Sequence, residues 1–459
     1  MKKFFTLACA VAVAGMVAAA ESPFLLAPTF VEEIDIMLYP EHISSNGKYV
    51  SGQDLLNSIP VLWDVEKNEL SVVVVPDSML VDPASWGEEG DPYYEYGLMT
   101  GPFSCVNNDG VASGYLADMS YQSHPVLFAD GELTYLPFDE TGESGANAWS
   151  ITDDGTAIGY EFIDFNATAC IWNAVTHEQV FLPKPTVEEV GFPYDYVTAR
   201  FVTPDGSVVL GYVTDSVSGA WVSIVWNKVN GQYVPDGWIS RNLHAYVVNG
   251  QLVPTTYNPF FMIDPQAISA NGEWVLAYAD MASFDETYPQ ARAVRINLKN
   301  HTYETMAVDS MEVENWMTGE KETVDIPGPE MFGIANNGIA VGRYTIEDMS
   351  TWTQYQDAVI WLPGEEKSVK LAEFFPEDEF VAEWKFSGLS DITPDAHYLV
   401  GQAETEDEVL AFCLDLYSVI PPMAVDNVKA NAKGIKLLEN GQVVILRDGK
   451  KFNLMGTEL

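Results

Sequence analysis

The chain is predicted to be all-β: a seven-bladed β-propeller of four-stranded blades, followed by a short C-terminal β-hairpin domain. Three observations predict this. One short phrase centred on an Asn/Asp-Gly turn returns seven times along the chain. Each copy is followed by a short apolar strand, most of them ending in an aromatic residue. No stretch of any length carries the 3.6-residue apolar period of a helix.

The N-terminus comes first. Met1-Lys2-Lys3 precedes an apolar run, Phe4–Met16, and the small residues Val17-Ala18-Ala19-Ala20 stand before Glu21. That order is the pattern of a secretory signal peptide, so residues 1–20 are read as a leader. The apolar run is too short for a confident membrane span and has no counterpart downstream. Cys9 lies too early, with Thr6 upstream of it, for a lipoprotein anchor. The expected location is secreted or on the outer-membrane surface, or the periplasm if the C-terminal segment is not used as a signal.

The seven phrases occupy Ile43–Gln53, Val106–Leu116, Ile151–Glu161, Val202–Tyr212, Ile268–Tyr278, Ile334–Tyr344 and Ile392–Gln402. Each reads as a strand end, a tight turn and a second strand, as in ITDDGTAIGYE, which is the strongest short-range signal for a hairpin. The turn residues Gly47, Gly110, Gly155, Gly206, Gly272, Gly338 and Ala396 lie 45 to 66 positions apart, the spacing of propeller blades. The third strand has the form small-x-x-aromatic: Pro60–Trp63, Pro125–Phe128, Ala169–Trp172, Ser223–Trp226 and Ala358–Trp361, with weaker versions at Ala293–Ile296 and Ala411–Leu414. A polar or Gly turn and a fourth strand follow. A β-sandwich or a linear solenoid would need seven two-part repeats to align by coincidence. The last repeat lacks a local fourth strand, and an open edge invites aggregation. The apolar segment Phe24–Tyr39 is the expected donor to the strand at Val409–Tyr417.

These paired phrases resemble the HAF-type repeats of bacterial extracellular proteins, over roughly Ile43 to Leu416. The resemblance implies a propeller scaffold and leaves the ligand open. The fifth repeat departs from it, with Ala277 where others have Gly and Arg295-Ile296 in the aromatic strand.

The whole chain holds 22 Lys and Arg against 67 Asp and Glu, a formal net charge of −45. Residues 21–419 hold 14 basic and 63 acidic side chains (14 − 63 = −49). Such a surface repels phosphates and excludes nucleic acid as a partner. From Ile420 onward the balance turns basic, and Pro421-Pro422 opens a linker, 420–432. The expected domains are thus a leader at 1–20, a propeller at 21–419, this linker, and a hairpin segment at 433–459 with turns at Asn440-Gly441 and Asp448-Gly449. Within it Gly441-Gln442, Ile445, Arg447–Lys450 and Asn453–Gly456 resemble the C-terminal sorting domain of type IX secretion cargo, with Phe452 where that family has Tyr. The resemblance implies handling by a secretion machinery.

Catalytic signatures are absent: there is no H-E-x-x-H, no G-x-S-x-G and no Walker loop. No Cys/His cluster has metal-ligand spacing, and no Asp-rich turn has EF-hand spacing, so no metal and no cofactor is expected. Cys105, Cys170 and Cys413, scattered over three repeats, read as small buried hydrophobes and not as a disulfide framework. The six histidines are dispersed, and His177 and His301 at outer turns and His397 in a hairpin turn read as surface residues. Paired carboxylates for glycoside cleavage would converge from different blades and leave no linear trace.

Strands A to D run outward from the centre of each blade, with A–B and C–D turns on one face and B–C and D–A loops on the other. The first kind are tight here, and the long insertions belong almost wholly to the second. They carry Trp86, Tyr93, Tyr94 and Tyr96 (76–103), Trp238 (235–265), Trp316 (307–331), and Trp352 and Tyr355 (345–357). Aromatic rings beside carboxylates suit sugar rings, and equally suit protein anchors. These eight residues are the expected ligand-binding set, for a glycan or an extracellular protein on the long-loop face. The alternative is a polysaccharide hydrolase or lyase on the same scaffold.

Overall fold

The computed structural model describes residues 23–31, 34–56, 59–73, 100–117, 122–139, 145–164, 166–243, 246–248, 251–253, 260–281, 290–307, 310–314, 321–325, 328–348, 353–375, 384–405, 408–418, 435–439, 442–447 and 450–452. Backbone packing divides the chain into two compact units, Met1–Leu414 and Asp415–Leu459.

In the first unit each sequence repeat forms an antiparallel sheet in the order A-B-C-D. The first repeat is Leu38–Ile43, Tyr49–Asp54, Pro60–Asp64 and Glu69–Val72; the second is Thr100–Val106, Ala112–Ala117, Ser123–Ala129 and Glu132–Tyr135. The third is Ala146–Ile151, Ala157–Ile163, Asn166–Trp172 and Gln179–Phe181; the fourth is Tyr194–Val202, Val208–Asp215, Trp221–Val229 and Gln232–Asp236. The fifth is Phe260–Ile268, Trp274–Met281, Gln290–Asn297 and Thr302–Thr305, and the sixth is Glu330–Ile334, Ala340–Asp348, Thr353–Trp361 and Val369–Lys370. The seventh supplies A, B and C as Lys385–Ile392, Tyr398–Glu404 and Val409–Asp415. Its fourth strand is β1, Phe24–Leu26, which pairs antiparallel with strand C, Phe24 opposite Leu414. The N-terminal segment therefore does supply that edge, but with three residues only. The rest of Phe24–Tyr39 forms a small hairpin, Phe30–Val31 with Ile34–Asp35, and begins strand A of the first repeat.

The turns explain themselves. Every A–B turn residue has positive φ, from 60° at Ala396 to 87° at Gly155. Five of the turns add a Ser or Thr hydroxyl that donates to the Asx side chain two residues on, as in Thr203 to Asp205 (2.7 Å) and Ser269 to Asn271 (2.7 Å). That bond pre-shapes the loop before the strands pair. The turns also hold one another. Asn46 N donates to Asn108 Oδ1 (2.7 Å), Asn108 Nδ2 to Asp153 Oδ2 (2.9 Å) and Asp153 N to the Pro204 carbonyl (2.7 Å). On the other side Asn271 N donates to Asn336 Oδ1 (2.9 Å) and Asn336 N to the Pro394 carbonyl (2.9 Å).

The aromatic strand forms the intersheet core. Trp63, Phe128, Trp172, Trp226, Ile296, Trp361 and Leu414 are all buried at equivalent places in strand C. Burying a Trp requires a partner for its indole N–H. Trp172 donates to the Pro137 carbonyl (2.7 Å), Trp226 to that of Pro183 (2.8 Å), Trp361 to that of Glu365 (2.8 Å) and Trp63 to Asn68 Oδ1 (3.0 Å). The irregular fifth repeat uses Arg295 instead. Its fully buried guanidinium lies 4.1 Å from the Trp361 ring centroid, donates to the Gly338 carbonyl and pairs with Glu304. A cation–π contact thus joins the fifth and sixth sheets where an aromatic is missing.

Strand A is irregular in every repeat, and one irregular position is common to all seven. Ala148 pairs with Gly159 and Ser150 with Ile158, so Trp149 between them is an unpaired extra residue. The same register shift isolates Glu41, Ser104, Arg200, Gln266, Phe332 and Ser390. All seven lie six positions before the turn residue. These are β-bulges, which re-aim a side chain out of the pleat. The recurrent strand-B glycine makes room for them. A Cβ on Gly159 would collide with the Asn147 carbonyl, on Gly211 with that of Thr198, and on Gly52, Gly114, Gly342 and Gly401 with the corresponding carbonyl of their own strand A. The fifth repeat keeps the bulge at Gln266 although Ala277 stands at this place.

The second unit contains a three-stranded antiparallel meander, Ile435–Glu439, Gln442–Arg447 and Lys450–Phe452, where the sequence suggests a hairpin. Two insertions contain further hairpins, Tyr246–Val248 with Gln251–Val253 and Ser310–Glu314 with Lys321–Asp325. The expected loop at 345–357 is mostly strand. Ile346 pairs with Tyr355 and Asp348 with Thr353, because alternating β-branched and aromatic residues extend the hairpin.

Three substitutions test this account. Phe24 is buried against Phe386 and Phe412 (ring centroids 5.2 and 5.7 Å), so Phe24→Ala is expected to cost about 3 kcal/mol in denaturant unfolding. The exposed neighbour Leu25→Ala is expected to change stability by less than about 0.5 kcal/mol. Ala396 holds φ 60° in a turn where six other repeats use Gly, so Ala396→Gly is expected to raise stability by about 1 kcal/mol.

Candidate functional site

The seven bulges converge. Glu41, Ser104, Trp149, Arg200, Gln266, Phe332 and Ser390 all line one cavity of about 360 Å³, and each is half-buried. Two residues further along strand A, Ile43, Val106, Ile151, Val202, Ile268, Ile334 and Ile392 are uniformly apolar. One position is thus held constant for packing, while its neighbour toward the cavity is chemically different in nearly every repeat. The cavity extends to Ser45, Asn107, Asp153, Pro204, Ala270 and Pro394 at the A–B turns.

Arg200 is the main cation of this wall. Its guanidinium carbon lies 5.4, 5.2 and 5.7 Å from the ring centroids of Trp149, Tyr212 and Trp221, and Nη1 is 3.8 Å from Asp264 Oδ1. Arg343, also in the lining, binds Glu330 (2.8 Å) and lies over Phe332. Three consecutive repeats leave a buried polar atom of the bulge residue without a hydrogen-bond partner: Ser104 Oγ, Trp149 Nε1 and Arg200 Nε. These three atoms are therefore open to a hydrogen-bonding molecule in the cavity. Burial pushes the Glu41 carboxyl up to about 7.

One residue past the bulge a second layer forms. His42 Nε2 lies 3.5 Å from Asp391 Oδ2, both ring nitrogens lie 3.7 Å from Cys105 Sγ, and Ser150 Oγ donates to Sγ (3.6 Å). Asp391 also accepts from Ile43 N (3.1 Å), tying the seventh repeat to the first. Burial works against the charged ring of His42, but Cys105 and Asp391 outweigh it and raise His42 to about 9. Burial likewise favours the neutral thiol of Cys105, yet His42 holds it below the ordinary thiol value. Cys170, with no such neighbour, is pushed up by burial.

Cys105 is buried, as its sequence reading suggests, and it lies next to His42, which sits in the cavity wall beside a thiol and a carboxylate. Of the expected binding set, Trp86, Tyr93, Tyr94, Tyr96, Trp316 and Trp352 lie outside the described residues. Tyr355 is in strand C of the sixth repeat. Trp238 opens a short helix, Trp238–Leu243, and stacks on His301 (4.7 Å, 12°) beside the tight turns of the fifth repeat, away from the central cavity. The bulge residues carry no local motif. The signal that finds them is the fixed offset from each turn.

Among the described residues no group of three or more metal-ligating side chains could hold an ion, and no helix is long and apolar enough to cross a membrane.

No family model matches the chain, and no curated protein matches it. The β-propeller domain of the Trilobed protease from Pyrococcus furiosus is similar over 85% of this chain and 98% of its own, at 11% identity and a TM-score of 0.42. An oligogalacturonate lyase from Vibrio parahaemolyticus is similar over 86% of this chain and 96% of its own (9% identity, TM-score 0.44). A puromycin-hydrolyzing peptidase of Mycobacterium tuberculosis is similar over 89% of this chain and 57% of its own (9% identity, TM-score 0.46). Likenesses this distant carry no functional argument. The chain's own repeated sheets and shared cavity are those of a β-propeller.

The raised Glu41 carboxyl has a measurable consequence. The folded chain holds this proton up to about pH 7, whereas an ordinary carboxyl loses it near 4.5. Stability from this group is therefore full below the ordinary carboxylate range and is lost as pH rises through about 7. Glu41→Gln is expected to flatten the fall in stability between about pH 5 and 8, by on the order of 1–3 kcal/mol, in denaturant unfolding across that range.

Proposed function

We propose that the chain is an exported, seven-bladed β-propeller binding module that takes the end group of a glycan in its central cavity. The observation that carries this reading is the ring of bulges: seven strands each distort at the same place to present one side chain to one space, and the fold does not need those side chains to differ. Their chemistry suits a sugar. Trp149 and Phe332 offer flat apolar faces, while Glu41, Ser104, Arg200, Gln266 and Ser390 offer donors and acceptors for hydroxyls. Arg200 and Arg343 are two of only 14 basic side chains in residues 21–419, which favours a ligand carrying a carboxylate or another anionic group. A concave space of about 360 Å³ is the size of a small-ligand pocket, whereas a protein partner would need a broad surface. The basic tail at 433–459 is, on the same proposal, the part read by the export machinery.

A glycan-array screen of the full chain tests this, followed by titration calorimetry on the best ligand. Trp149→Ala and Arg200→Ala are expected to weaken binding by about 1–3 kcal/mol each. Glu365→Ala, at an outer turn, is expected to leave it unchanged. Loss confined to Trp86→Ala and Trp352→Ala would instead move the ligand to the long insertions and overturn the cavity reading.

A further inference from the structure

Five positions before each A–B turn residue, the seven repeats carry His42, Cys105, Ser150, Phe201, Ala267, Gly333 and Asp391. One side of this layer is apolar. The other is a polar chain across four adjacent repeats, in the spatial order Asp391, His42, Cys105, Ser150. The apolar side shows that the fold tolerates small or hydrophobic residues here, so packing alone does not call for a thiol beside an imidazole.

We propose that Cys105 is a nucleophilic centre of the central cavity, with His42 as acceptor of its proton and Asp391 as the residue that positions His42, and that it is modified by small uncharged electrophiles entering the cavity. The geometry has the parts that such a centre requires. A nucleophile lies beside a base, and the base is held by a third group. Nε2 faces Asp391 at 3.5 Å, which leaves Nδ1, 3.7 Å from the sulfur, as the nitrogen that takes the thiol proton, and its long contact with Val106 N (3.4 Å) is then given up. The hydroxyl of Ser150 donates to the sulfur, a contact that favours negative charge on it. Cys105 and His42 both line the cavity, so an electrophile small enough to enter meets the sulfur. An uncharged reagent is specified because the wall carries both signs, Glu41 and Asp391 on one hand and arginines on the other, so a neutral probe reports the sulfur and not the field around it. The other charged groups of that wall are Asp153, Arg200 and Arg343. Electrostatics agree: His42 holds the Cys105 thiol below its ordinary value, while burial pushes the Cys170 thiol up.

With iodoacetamide the step is simple. The sulfur lone pair forms an S–C bond, the C–I bond breaks, iodide leaves, and the former thiol proton resides on His42. The test is native alkylation of the full chain with limiting iodoacetamide, read by peptide mass spectrometry at a series of pH values. Cys170 and Cys413 serve as references within the same molecule, and the guanidinium-unfolded chain as the external one. Cys105 is expected to react at least about tenfold faster than Cys170 and Cys413, with a pH midpoint below that of the unfolded chain. His42→Gln and Asp391→Asn are expected to move that midpoint upward. Failure of Cys105 to react in the native chain, or a midpoint equal to the unfolded one, overturns the proposal. So does a folded His42→Gln variant with an unmoved midpoint. Should the variants not fold, the wild-type comparison decides alone. Glycan binding is read separately, so a thiol without reactivity leaves the cavity reading standing.

Discussion

The structure depends on the closeness of two backbones. In six of the seven repeats a glycine of strand B lies so near a carbonyl of strand A that a Cβ could not be placed there. That approach lets strand A take up one extra residue without losing its partner on either side. A bulge costs ladder hydrogen bonds, and here each cost falls at the innermost strand, where the side chain gains a shared space. The glycine, the bulge and the cavity are therefore one device repeated around an axis. Its products differ only in the residue delivered.

This arrangement separates stability from chemistry. The apolar residue two places beyond the bulge and the aromatic of strand C hold neighbouring sheets together. The bulge residue and the one after it can then vary without loosening the core. The wall combines a cation among aromatic rings, carboxylates shifted by burial, and a thiol coupled to an imidazole. In a chain this acidic, placing arginines inward makes the cavity electrostatically unlike the surface around it.

Much of the scaffold was legible in the sequence for a physical reason. Turns such as Asp154-Gly155 and strands ending in Trp172 or Trp226 are local, since the φ of the glycine and the burial of the indole are set within a few residues. The site was not. Trp149 looks like any other strand residue, because a bulge is a mismatch between two strands and has no composition of its own. His42, Cys105 and Asp391 are separated by long stretches of chain and meet only through the order of the sheets. Cys105 reads as a buried hydrophobe because three cysteines are scattered over separate repeats, a pattern that holds no trace of His42. Arg295 shows the converse, a residue that breaks the aromatic pattern yet fills the same core through its guanidinium. Of the insertion aromatics among the described residues, Trp238 stacks on His301 outside the lining of the central cavity.

Strand β1 sets a timetable on the molecule. The residue that Phe24 faces, Leu414, is the last of the first unit, so the earliest described strand has no partner until the seventh repeat has been synthesised. The first repeat can form its own four strands long before that, but it cannot be joined to the seventh. Contacts across so many residues form slowly, because the closure entropy comes before the gain. Until then the chain is a growing row of sheets with one lone apolar strand at its head and an unfilled edge at its tail. The central space does not exist in that row, since its wall needs His42 and Asp391 side by side. Whatever the cavity holds, it can be held only once the seventh repeat has met the first.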